Sequence, residues 1–130
     1  MTIELWMLIG SVLVLFGTIS AQVLITIANN GLAPAAGNRA DFSYPPPGIA
    51  GRAERAVRNT VYALVMFAPV VLTAKAAGVS NDMTVIGTQL FFYARIGYSI
   101  VYIAGIPWLR TLIWALSMIG IGLVIFALVG

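Results

Sequence analysis

The chain has 130 residues, 61% hydrophobic and 8% charged, with seven Lys and Arg against four Asp and Glu and neither Cys nor His. Ordinary soluble domains carry roughly 25% charged residues, so this chain lacks the side chains to cover an aqueous exterior and falls in the membrane class. Without Cys or His it has no thiol nucleophile and no Ser–His–Asp arrangement, and too few ligands for a protein-built zinc or haem site; no metal is expected.

The first apolar segment, "LWMLIGSVLVLFGTISAQVLITIA", runs from Leu5 to Ala28 without a charge. At 1.5 Å per residue it is long enough for a hydrocarbon core of roughly 30 Å. Its leading charge is Glu4 rather than a basic residue, and its apolar run exceeds a signal-peptide core, so it reads as the first helix and not a leader. Gly17 and Ala21 form a small-xxx-small pair that permits close helix contact. Residues 29–51 are the one long connection. Asn29-Asn30-Gly31 suits a helix C-terminus, and the triplet Pro45-Pro46-Pro47 favours an extended path. This loop is expected either to lie over the mouth of the bundle or to act as a plain linker.

The second segment spans about Arg52 to Ala77, charged in its first two turns, with Pro69 expected to bend it. A short connection near Gly78 to Asn81 makes the third segment, about Asn81 to Ala104, its antiparallel neighbour. Gly105-Ile106-Pro107 separates this from the fourth segment, about Pro107 to Val129. The expected fold is all-α: one domain over 1–130, an integral membrane bundle of four spanning helices at about 5–28, 52–77, 81–104 and 107–129. No internal repeat or broken-helix pair supports a transporter.

Basic residues divide unevenly between the two ends. Arg39, Arg52, Arg55, Arg58 and Arg110 flank the first and third connections, whereas the other end holds Lys75 with Glu4 and Asp82. The positive-inside rule then places the first and third connections in the cytoplasm and both termini on the opposite side. This asymmetry accounts for the net charge of +3, and no basic face or motif for nucleic acid accompanies it.

Arg95 falls near the middle of the third segment, where a lipid-facing guanidinium costs at least ~2.5–3.5 kcal/mol. It must face protein, water or an anion. Tyr98, Ser99 and Tyr102 follow at i+3, i+4 and i+7, on one helical face. The functional reading is a ligand-facing strip; the structural reading is an internal anchor, for which Glu54 is the available carboxylate, Glu4, Asp41 and Asp82 being peripheral. On the second segment Arg52, Arg55, Arg58, Asn59 and Tyr62 share an arc of roughly 120°. Glu54 stands four residues before Arg58, the favourable order for a helix pair. Arg52 and Arg58 suit topology and lipid head groups, whereas Asn59 does neither. With Arg110 at the start of the fourth segment, the bundle can direct Arg55, Asn59, Arg95, Tyr98, Tyr102 and Arg110 towards one cationic cleft. Such a cleft suits an amphiphilic anion that meets a hydrophobic second substrate from the bilayer.

At these residues the chain resembles the MAPEG family, the membrane-associated proteins of eicosanoid and glutathione metabolism, and within it the bacterial-type microsomal glutathione transferases. "RAERAVRN" is similar to the family's Arg-x-x-Arg-Ala-x-x-Asn at the start of helix two. "YARIGYSIVYIAGIPWLRT" is similar to its aromatic-Ala-Arg, Tyr and terminal Arg pattern across helices three and four. The resemblance implies a homotrimer holding glutathione as cosubstrate between subunits near the cytoplasmic ends, with membrane lipids and a hydrophobic small molecule as partners. It implies that Arg55 and Asn59 hold polar groups of glutathione, that Arg95, Tyr98 and Tyr102 line the site, and that Arg110 stabilises the thiolate as the catalytic residue. A guanidinium near a thiol lowers its pKa, and the thiolate is the nucleophile. One position departs: where the family pattern continues Asn-x-x-Glu, this chain has Tyr62, which accepts a hydrogen bond but supplies no counter-charge for the glutathione amine. Two readings therefore follow: a glutathione transferase or peroxidase acting on lipophilic electrophiles or lipid hydroperoxides, or a non-catalytic lipid-binding or accessory subunit that keeps the fold.

Overall fold

A computed structural model of the chain describes residues 1–32 and 48–130. Four helices follow one another: α1 (Ile3–Asn30), α2 (Gly48–Ala76), α3 (Asp82–Ala104) and α4 (Pro107–Val129). Arg39, Asp41, the proline triplet and the expected course of the first connection lie outside the described residues.

The helix ends follow local chemistry. Thr2 caps α1, its hydroxyl accepting from Leu5 N at 3.4 Å, which starts the helix before the apolar run does. Gly31, at φ 85°, closes it. Helix α2 begins at Gly48, four residues earlier than its charges suggested. It continues through Pro69, and Thr73 Oγ1 donates to the Pro69 carbonyl at 2.6 Å. Asn81 and Thr84 form a capping box at the start of α3. At its end Gly105 adopts the left-handed conformation and returns its N–H to the Val101 and Tyr102 carbonyls. Pro107 then opens α4, where its missing N–H costs nothing.

Helices α1, α2 and α4 are each long and apolar enough to cross a membrane. Helix α3 has comparable length, 23 residues, but its apolar stretch is interrupted near mid-span by Arg95. Thr84, Thr88, Arg95 and Ser99 are all buried against its neighbours. Among the expected four spanning helices, α3 thus depends on the bundle to shield it. Throughout the bundle, hydroxyls bond the carbonyl one turn back: Ser11 to Met7, Thr26 to Gln22, Thr60 to Ala56 and Thr88 to Thr84. Such pairing satisfies a hydroxyl where water is absent.

Helices α2 and α3 occupy the centre, and α1 and α4 flank them without touching each other. Phe67 and Phe91 stack with ring centroids 3.8 Å apart, inside a core that includes Ala63, Val71 and Ile121. The tightest approach joins α3 to α4. A Cβ on Gly120 would lie 2.6 Å from the Gly87 carbonyl oxygen and 2.8 Å from Phe91 N. Backbone meets backbone there, as small residues permit in membrane bundles. Gly17 does not act this way: its absent Cβ would meet nothing within 4 Å. Instead Gly17 and Ala21 border an open groove between α1 and α3, beside the Thr18–Ser99 hydroxyl pair at 3.0 Å.

Candidate functional site

Antiparallel packing brings the start of α2, the end of α3 and the start of α4 to one end of the bundle, and the polar strips meet there. Arg95 is 1% exposed. Its Nη2 donates to Asn59 Oδ1 at 2.9 Å and to Thr60 Oγ1 at 3.2 Å, both on α2. The guanidinium carbon lies 4.2 Å from the centroid of the Tyr98 ring. Tyr98 meets Tyr102 edge-on at 5.4 Å, and the guanidinium carbon of Arg110 sits 4.4 Å from the Tyr102 centroid. The result is a row running from mid-helix to the bundle end: cation, ring, ring, cation. Each cation–ring contact is worth about 0.5–2 kcal/mol depending on its desolvation.

This settles the partner of Arg95 differently from the carboxylate pairing the sequence offered. Glu54 bonds Arg58 at 3.1 Å, one turn away on the exposed side of α2. Arg95 is held by an amide oxygen and a hydroxyl, and its Nε and Nη1 have no acceptor among the described residues. A buried guanidinium supplied with only part of its acceptors attracts negative charge. With Asn59 Oδ1 committed to Arg95, its amide nitrogen has no protein acceptor among the described residues and stays available to donate.

The structure brings together Asn59, Arg95, Tyr98, Tyr102 and Arg110. It does not bring Arg55 and Tyr62 to them. Both are exposed, Tyr62 at 63%, one turn to either side of Asn59 on the outer surface of α2. No hydrogen bond, ion pair or ring contact joins them to the row among the described residues. The single chain therefore presents two polar surfaces at one end, an inner row and an outer pair, with Asn59 between them.

Two residues make contacts at this end that the sequence did not assign to them. Thr60 shares the Arg95 guanidinium; it lies on the stripe of Ala53, Ala56 and Ala63 that packs inward, so its helical phase was the available signal. Arg52, read as a head-group residue, donates from Nε to the Ile103 carbonyl at 3.0 Å. It satisfies an orphan carbonyl in the last turn of α3 and brings a cation to the negative end of that helix.

Chemically, the row supplies guanidinium and amide donors, with no carboxylate bonded to it among the described residues, an arrangement suited to binding an anion. Residues 2–130 match the model of the MAPEG family. No curated protein and no solved structure matches the chain.

Proposed function

The chain belongs to the MAPEG family, an integral membrane helical bundle, and on that premise we propose that it is a membrane glutathione transferase- or peroxidase-like protein. The observation that carries this reading is the row from Arg95 to Arg110, which ends in a cation fixed over Tyr102. Glutathione presents carboxylates, an ammonium group and a thiol. Its carboxylates suit Arg55 and the free amide of Asn59, and its thiol suits Arg110.

In this reading Arg110 favours the ionised thiol by charge, as any nearby cation does. The thiolate sulfur then forms a bond to an electrophilic carbon delivered from the bilayer, and the leaving group departs with the bonding electrons. With a hydroperoxide, two glutathiones are oxidised to the disulfide while the peroxide is reduced to an alcohol and water. Tyr102 holds the Arg110 guanidinium in place, while Arg95 holds Asn59 and Tyr98. The exposed positions of Arg55 and Tyr62 support a homotrimer in which a neighbouring subunit brings its own inner row to that outer pair. The first and third connections, which the arginines Arg39, Arg52, Arg55, Arg58 and Arg110 occupy or flank, would face the cytoplasm, with the termini opposite.

Tyr62 favours a second reading, a lipid-binding or accessory subunit that does not catalyse. Its phenol offers the glutathione ammonium no counter-charge where the family pattern carries Glu. Calorimetric titration of glutathione into the protein in nanodiscs separates the two readings. The enzyme reading expects saturable binding, with conjugation of a generic electrophile that falls in Arg110→Ala. Absence of binding, or equal activity in the variant, overturns it.

A further inference from the structure

At the opposite end of the bundle lies a second polar site built around a buried carboxylate. Glu4, in the first turn of α1, is 5% exposed, where its sequence position suggested the periphery. Ser80 Oγ donates to Glu4 Oε2 at 2.7 Å, and Thr84 Oγ1 lies 3.4 Å from the same oxygen. Oε1 receives no hydrogen bond from the described residues. It is nevertheless not sealed in, because the buried side-chain atoms without partners are both on Arg95. Glu4 lines a cavity of about 130 Å³ together with Thr2, Val71, Lys75 and Ser80. Lys75 is exposed on the same cavity and makes no ion pair with Glu4; among the described residues the one ion pair joins Arg58 to Glu54.

A carboxylate removed from water needs hydrogen-bond donors or a cation on both oxygens. Here one oxygen has donors, the other has none among the described residues, and the residue lines a cavity. The cavity also carries a separate cation, Lys75, so it is complementary to a molecule with an ammonium group and an anionic group a few bonds apart. Its volume of about 130 Å³ is enough for an aminoethyl group. The site lies where α1 begins and α2 ends, at the level of lipid head groups for helices of this length.

We propose that this cavity binds the head group of an ethanolamine-type membrane phospholipid. The primary ammonium donates to Glu4 Oε1 and the phosphate lies against Lys75. A choline head brings a cation without an N–H to donate, and a glycerol head brings O–H donors without a cation; the primary ammonium supplies both at once.

The test is native mass spectrometry of the delipidated full-length protein, titrated with phosphatidylethanolamine, phosphatidylcholine or phosphatidylglycerol. The expected result is that the ethanolamine lipid is retained about tenfold more strongly than the other two. Glu4→Gln should remove that preference and Lys75→Met should weaken it, while glutathione titration, reporting the other end of the bundle, stays unchanged in both. Equal retention of the three lipids, or an unaltered preference in Glu4→Gln, overturns the proposal. So does displacement by soluble glycerophosphoethanolamine as effective as the lipid, which would assign the cavity to a soluble amine. If Glu4→Gln does not fold, the lipid comparison on the unmodified chain together with Lys75→Met decides the matter.

Discussion

Replacing Gly120 by Ala tests the packing on which the bundle rests. The new Cβ would lie 2.6 Å from the Gly87 carbonyl oxygen, whereas ordinary van der Waals contact begins at 3.4 Å. The obstructing atoms are backbone, on Gly87 and Phe91, so no side chain can swing aside and α3 must part from α4 by roughly 0.8 Å. A gap of that order forfeits a quarter to a half of each dispersion contact across it. It also disturbs Phe91, whose ring stacks on Phe67 in the core. Overpacking of this kind costs about 1–3 kcal/mol, and Ala recovers at most about 1 kcal/mol through its better helix propensity. Gly122→Ala is the control, since its Cβ would meet nothing within 4 Å; it keeps the propensity gain without the clash. Thermal unfolding in detergent should therefore show Gly120→Ala below the unmodified protein and Gly122→Ala equal to it or above. If the two variants unfold at the same temperature, the close approach of α3 and α4 is wrong.

Arg110→Ala should lower turnover with a soluble electrophile by about a hundredfold, the scale of losing one preorganised charge contact. Its pH–rate profile should shift to the alkaline side, because glutathione must then ionise without a neighbouring cation; a profile that stays in place would refute thiolate stabilisation. Tyr62→Glu restores a counter-charge for the glutathione ammonium and should tighten binding about tenfold, or about 1.4 kcal/mol, read by calorimetry. Unchanged affinity would mean that the outer surface of α2 does not meet the tripeptide. Arg52→Ala removes a charge-assisted bond to the end of α3 and should destabilise the protein by about 1.5–3 kcal/mol. Arg52→Lys, which cannot reproduce the guanidinium geometry, should recover only part of that loss.

Helix number and approximate limits were legible because apolar runs of spanning length admit few other structures in a bilayer. The start of α2 at Gly48 was not, since charge patterning marks the first polar turn and not the first hydrogen-bonded one. Arg95 announced its burial by its depth in an apolar segment. Its partners did not, because a neutral amide and hydroxyl on another helix satisfy a guanidinium without any charge pattern to reveal them. Phase along α2 separated Asn59 from the inward alanines by only one position, too little to decide which way its side chain turns. Glu4 was misplaced for a related reason: proximity to the chain start says nothing about whether the α2–α3 turn folds over it. The closest helix contact was likewise hidden: the small-xxx-small pattern pointed to Gly17 and Ala21, whereas Gly120 has Leu116 and Val124 four positions away.

The bonds from Arg95 to α2 also bear on how the protein enters the membrane. Helix α3 inserted alone would carry an unpaired guanidinium in hydrocarbon, at a cost of at least ~2.5–3.5 kcal/mol, and it is the helix whose composition least favours spanning. Asn59 and Thr60 relieve that cost only after α2 has docked. The contact of Arg110 with Tyr102, by contrast, needs only the α3–α4 hairpin. The two ends of the row therefore have different requirements: the outer contact needs only the α3–α4 hairpin, and the inner bonds need α2 packed against α3. A chain in which α2 fails to dock leaves α3 a marginal segment, with its guanidinium unpaired in hydrocarbon.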